Sequence, residues 1–136
     1  MKVAALDFGS NTFLCLIADI ELQKINKIHY DEVEFVRLGQ ELEKNKKFHP
    51  EALQRAENCL KKFSQAITKH RPERVLAMAT AAARAAENKE ELFKLAESYG
   101  IPLEIIQGEK EAEITYQGAI SGLENLNQNL MVLDIG

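Results

Sequence analysis

The sequence predicts an α/β domain built on a mixed sheet, and three observations carry that expectation. Two apolar runs, from Lys2 to Leu6 and "FLCLIADI", are joined by the polar knot "DFGSNT" at residues 7–12, the pattern of two strands around a tight turn. The next segment, "INKIHYDEVEFVRL", alternates apolar and polar residues for much of its length, as a strand or strand pair with one wet face does. Beyond it, helical and strand patterns alternate, which implies parallel strands joined by crossover helices. The expected order is β-β-β-α-β-α-β-α-β, with an antiparallel hairpin and third strand at the N-terminus.

Taken in order, "GQELEKNKKFHP" is charged and turn-rich and reads as a solvated loop. Leu53, Ala56, Leu60, Phe63 and Ile67 then recur at spacings of three and four, while Glu51, Arg55, Lys61 and Lys69 occupy other faces. This amphipathic helix should start near Pro50, where a proline fits the first turn, and end before Pro72. "RVLAMAT" is a short buried strand, and "AAARAAENKEELFKLAESYG" is one helix closed by Gly100. "IPLEIIQ" is another strand and "GEKEAEITYQGAISGL" another helix, in which Tyr116 joins Ala112, Ala119 and Ile120 on a stripe suited to core packing. "LMVLDIG" completes the set as a strand that runs into a glycine turn at Gly136. A strand of central character with no element after it implies a chain that stops inside a larger fold.

Composition bounds the function. The 136 residues suffice for one compact domain with a core, and 46% apolar with 28% charged residues is the balance of a globular chain. Seventeen basic against twenty-one acidic residues give a net charge of −4, so no overall positive field draws the chain to duplex nucleic acid or to a membrane. An anion, if bound, needs a local site. Cys15 and Cys59 form no metal-type cluster and read as buried free thiols, which fits a reducing cytoplasm. There is no signal-peptide pattern, and no apolar run approaches the ~20 residues that span a bilayer. His29, His49 and His70 are scattered and suit surface or capping roles.

Four places remain where the residue types carry chemistry. The hairpin turn, with Gly9 and the small polar residues Ser10, Asn11 and Thr12, exposes backbone N–H groups that form a nest for a phosphate oxygen; it is equally readable as a structural turn. Asp7 beside it would repel a phosphate unless a metal ion or water stood between them. On the helix after "IIQ", Glu109 and Glu113 share one side while Glu111 points elsewhere, on a face with Thr115, Gly118 and Gly122. Three glutamates at a helix start also simply favour its positive dipole end. Arg84 follows "RVLAMAT" on an all-alanine first turn that leaves its fork of donors unobstructed, for phosphate or for solvent. Asp134 sits at the mouth of "LMVLDIG", where a carboxylate suits a hard cation or a plain turn.

Read together, "ALDFGSNTFLCLIADI", "ATAAAR", "QGEKEAEITYQG" and "VLDIG" resemble, in order and spacing, the landmarks of the Ppx/GppA family of exopolyphosphatases and guanosine pentaphosphate phosphohydrolases. The resemblance implies an actin-like ATPase (ribonuclease H-like) fold and covers essentially the whole chain as one N-terminal lobe, 1–136, cut at the second phosphate-binding turn. It implies Glu111 as the catalytic carboxylate that activates water. It also implies phosphate binding by Gly9, Ser10, Asn11, Thr12, Arg84 and Gly136, and a divalent cation, Mg²⁺ or another, held by Asp134 and Asp7. Lys110 stands where many family members carry another acid, and the glycines, Ser/Thr and further acid that continue the last turn are absent. Polyphosphate or guanosine pentaphosphate is the implied substrate. The partner is a second lobe of the same parent chain, with the face that would meet it apolar and open to pairing in a homodimer. An actin-like kinase or ATPase lobe, and a non-catalytic polyphosphate or (p)ppGpp-binding module, are the alternative readings.

Overall fold

The computed structural model describes residues 1–123 and 129–134. Its first three strands are β1 (Lys2–Phe8), β2 (Thr12–Glu21) and β3 (Lys24–Phe35), and they form an antiparallel meander. The turn between β2 and β3 has only two residues, Leu22 and Gln23, both at positive φ (48° and 61°). That backbone matches the twist of the flanking strands, so the turn holds without the glycine usually found there. The expected charged loop contains one helical turn, α1 (Leu42–Asn45), pinned by the buried Leu42.

Helix α2 (Pro50–His70) has the expected limits. Pro50 begins it, His49 Nδ1 accepts the Glu51 N–H at its start, and Ala52, Ala56, Cys59, Leu60, Phe63 and Ala66 form its buried stripe. Strand β4 (Arg74–Ala79) follows. The region expected as one helix after it is two: α3 (Ala81–Ala85) and α4 (Lys89–Ser98). The break has tertiary causes. The Glu87 N–H, which a continuous helix would give to Ala83 O, donates instead to Lys46 O at 2.8 Å, and Asn88 Oδ1 accepts the Phe48 N–H at 2.7 Å, so the loop before α2 holds the chain out of helix here. Strand β5 (Leu103–Ile105) and helix α5 (Gly108–Ile120) complete the regular elements.

The sheet order is β3-β2-β1-β4-β5, with β1, β4 and β5 parallel. Helices α2 and α4 pack together on one face over Ala4, Leu6, Phe8, Phe13, Cys15, Ile17, Ala77 and Ala79. Fully burying a side chain such as Phe63 or Leu60 in that layer is worth about 1.5–3 kcal/mol each. The register sets Asp7 opposite Leu14 on one side and Met78 on the other, and Ala5 opposite Leu16 and Leu76. These six therefore share the second face, which is far less covered.

Two expectations fail here. Residues 130–134, expected to be strand, have no regular structure, so the described part of "LMVLDIG" adds nothing to the sheet; Ile135 and Gly136 lie outside the described residues. Helix α5 buries none of its residues among those described, and Tyr116 and Ile114 are 37% and 39% exposed, so the Tyr116 stripe is not core. The apolar pattern of α5 is real, and residues 130–134 border it without burying it.

Candidate functional site at the carboxyl ends of the strands

Because β2 runs against both its neighbours, β1, β3, β4 and β5 all point the same way. Their carboxyl ends, with the β1–β2 turn, make one rim of the sheet, and every site residue expected from the sequence that is described lies on or near it. In open α/β sheets this rim is where ligands sit.

The β1–β2 turn is tight. The Gly9 N–H donates to Thr12 O at 3.0 Å, and a Cβ on Gly9 would stand 3.1 Å from that same oxygen. The Ser10 and Asn11 carbonyls accept the Gly39 and Arg37 N–H groups, both at 2.8 Å, which ties the turn to the exit of β3. The N–H groups of Ser10 and Asn11 have no acceptor among the described residues, leaving two donors at the tip.

Across the rim, Arg84 and Glu111 meet. Arg84 lies on α3 just past β4, and its N–H is bonded to Thr80 O at 3.0 Å. Its Nη1 donates to Ile106 O at 2.7 Å and to Glu111 Oε2 at 3.0 Å. The guanidinium is thus anchored rather than unobstructed, and it keeps 26% of its side-chain surface, Glu111 30%. A Cβ at Gly108 would lie 4.0 Å from the guanidinium, an ordinary contact, so the position of Arg84 does not depend on glycine there. Glu111 points away from Glu113, which pairs instead with Lys110 at 2.7 Å.

Glu111 lines a cavity of about 640 Å³ on the less covered face, together with Asp7, Thr80, Thr115 and Asp134, over an apolar floor that includes Leu14, Leu16 and Met78. Burial in this concave wall raises the Asp7 carboxyl above its ordinary value, and the negative charges of Glu111 and Asp134 push it further up. Ser10 and Asn11 do not line this cavity. They line a neighbouring groove with Arg37, Gln40 and Arg55. The expected phosphate and metal residues are therefore divided between an acidic cavity and a basic groove that flank the same turn. Thr80 and Arg37 were not singled out from sequence. Thr80 is the buried polar residue at the end of a buried strand, a signal available in "RVLAMAT" but weak by itself.

The donor set of Asp7 and Asp134 is chemically right for a hard divalent cation; burial is the main cause of the raised Asp7 carboxyl, and the charges of Glu111 and Asp134, which such a cation would offset, add to it. Among the described residues no group of three or more such side chains converges to hold an ion by protein ligands alone. A cation here would take most of its ligands from water and substrate oxygens, as Mg²⁺ commonly does. Both cysteines are free and buried, with their thiols pushed up to about 12 chiefly by burial, so neither is a ligand or a nucleophile at neutral pH. No helix among the described residues is long and apolar enough to cross a membrane.

A five-stranded mixed sheet whose first turn, fourth strand end and last helix converge on one rim is an actin-like, ribonuclease H-like lobe. The chain belongs to the Ppx/GppA phosphatase family, whose profile matches residues 16–136. It is 34% identical over 148 residues to exopolyphosphatase 2 of Mycobacterium tuberculosis, an alignment covering 99% of this chain and 45% of that protein. It is 36% identical over 141 residues to a bifunctional 3-dehydroquinate synthase/phosphatase of Fusobacterium nucleatum, with 98% of this chain and 21% of that protein covered. Among solved structures, the Aquifex aeolicus Ppx/GppA family member superposes with a TM-score of 0.82 at 28% identity, over 92% of this chain and 41% of that one. An exopolyphosphatase from Cytophaga hutchinsonii does so with a TM-score of 0.83 at 31% identity, over 90% and 39%. The chain thus spans less than half the length of these relatives.

Proposed function

We propose that this chain is the N-terminal lobe of a phosphoanhydride hydrolase that releases terminal phosphate from inorganic polyphosphate or guanosine pentaphosphate. The observation that carries the reading is the Arg84–Glu111 contact at 3.0 Å, a cation for phosphate and a base for water held in one place at the mouth of a cavity.

In this reading the terminal phosphoryl group replaces the Glu111 carboxylate as the partner of Arg84, while Ile106 O keeps the guanidinium in position. The freed carboxylate accepts a proton from water as the water oxygen attacks phosphorus, and the bond to the bridging oxygen breaks as the remaining chain leaves with the electron pair. The guanidinium stabilises the charge spread over the phosphoryl oxygens, and the Ser10 and Asn11 N–H groups, on the groove side of the turn, are donors for the phosphate next to it. Asp7 and Asp134 are the residues that would hold a divalent cation, which when bound would neutralise phosphate charge and strengthen the electrophile. Gly136, which the family resemblance adds to the phosphate set, lies outside the described residues. A second lobe of the parent chain would close the cavity, exclude water and align the substrate, so this lobe alone should turn over little.

The test is phosphate release by the full-length protein with polyphosphate and with guanosine pentaphosphate, each against Glu111→Gln. Turnover should fall about 100-fold or more in the variant with substrate binding largely retained. Equal turnover in both would remove Glu111 from the chemistry, and transfer of phosphate to an acceptor other than water would make the protein a kinase.

A further inference from the structure

The geometry points to a second anion subsite in the groove on the β3 side of the turn, with Arg37 as its binding residue and the inner phosphates of a linear polyphosphate as its ligand. This rests on the hydrolase reading above and extends it from the scissile phosphate to the rest of the substrate.

Arg37 is placed at some conformational cost. It stands at φ +51°, a region where glycine is the cheap choice, with Gly39 only two residues further on. The other non-glycine residues at positive φ are hairpin-turn residues (Leu22, Gln23) or flank helices (Glu41, Lys46, Arg71). Arg37 alone among them is bonded through its N–H to the phosphate turn, at Asn11 O. Its own carbonyl accepts the Gln40 N–H at 3.0 Å and faces Arg55 Nη2 at 3.4 Å. Its backbone is therefore held on both sides, yet its guanidinium has no hydrogen-bond or ion-pair partner among the described residues.

The groove itself, about 700 Å³, supplies what a phosphate chain needs. Arg55 lies along it, with Nε on Val36 O at 2.6 Å and Nη2 on Gln40 Oε1 at 2.6 Å, so it meets carbonyl and amide oxygens there and not a carboxylate. Two guanidinium groups thus face one acid, the exposed Glu51, and the Ser10 and Asn11 N–H groups border the same space. Distance selects the ligand. Arg84 follows β4 and Arg37 follows β3, three strand spacings apart in the sheet, or about 14 Å. Arg84 is anchored on Ile106 O beside Glu111, and Arg37 lines the groove and not the cavity that Glu111 lines, so a linear chain of phosphates laid along the rim engages both arginines more readily than a single phosphate or pyrophosphate does.

Equilibrium titration of the full-length protein with long-chain polyphosphate and with pyrophosphate tests the subsite without depending on catalysis. Arg37→Gly removes the guanidinium while relaxing the backbone, so loss of folding is not the expected result, and Arg37→Lys keeps the charge. The preference for the long chain over pyrophosphate should fall about tenfold in the glycine variant and be partly restored by lysine. In turnover assays the glycine variant should raise KM for the long chain and leave kcat nearly unchanged. An equal loss for both anions, or none for the long chain, would overturn the subsite. Binding with this Arg37 signature but no phosphate release would refute the hydrolase reading and keep the subsite; release with no Arg37 effect would do the reverse.

Discussion

On one face of the sheet, Phe8, Phe13, Ile17 and Ala79 are fully buried beneath α2 and α4; on the other, Phe35, Val33 and Leu76 remain 69%, 46% and 46% exposed. The same strands supply both sets by simple alternation, so the contrast comes from what packs on each face and not from strand composition. The first face is finished and holds the strand ends rigid. Among the described residues the second has α5 and Asp134 at its edge, which leaves the Asp7, Glu111 and Asp134 carboxylates around an open cavity. A rigid support under one face and an open site over the other is the arrangement in which small side-chain displacements at the rim are least tolerated by the fold and most consequential for binding.

The sharpest way to break this comparison is to truncate matched residues on the two faces. Phe63→Ala, under the sealed face, should cost about 3–5 kcal/mol in urea denaturation, whereas Leu76→Ala on the open face should cost under about 1 kcal/mol. Comparable losses would mean that the second face is covered in the protein as it exists. Gly9→Ala is next in size. Its Cβ would press on Thr12 O from 3.1 Å, so the turn must shift by a few tenths of an ångström, at about 1 kcal/mol or slightly more and with weaker phosphate binding by titration. Unchanged phosphate affinity would show that the turn is only a connection.

The smallest effect sharpens the comparison through pH. The Asp7 carboxyl is raised in the folded state, so between its ordinary value of 3.8 and its raised value the folded chain binds more protons than the unfolded one. Its contribution to stability therefore falls as pH rises through that window, and the ionised group remains unfavourable at neutral pH. Asp7→Asn should be slightly more stable than the parent at pH 7 and indistinguishable from it below about pH 3.8, a difference kept small by solvent around the site. Chemical denaturation at both pH values measures it. Asp7→Asn being less stable at neutral pH would mean that a cation or hydrogen bonds hold the carboxylate, and added Mg²⁺ would tell the two apart.

Where the signal was local and repeated, the sequence by itself determined the outcome. The spacing from Leu53 to Ile67 between two prolines defines α2, the polar knot between apolar runs defines the first turn, and helical geometry alone separates Glu111 from Glu109 and Glu113. Each depends on residues within a turn or two of each other, whose relations are set by the backbone period. Recognition of Arg84 and Glu111 as site residues drew on the order of four short motifs, but their contact did not; it joins positions 27 apart in sequence through a bond that also needs Ile106 O. Only the tertiary structure decided that the helix after β4 breaks, because the Glu87 N–H is taken by Lys46 O in the loop before α2. Only it showed that Tyr116 is exposed among the described residues, and that the turn divides an acidic cavity from a basic groove containing Arg37. A chain's periodicity states which side of an element is apolar; what meets that side is fixed by segments distant in sequence, and no local pattern encodes their arrival.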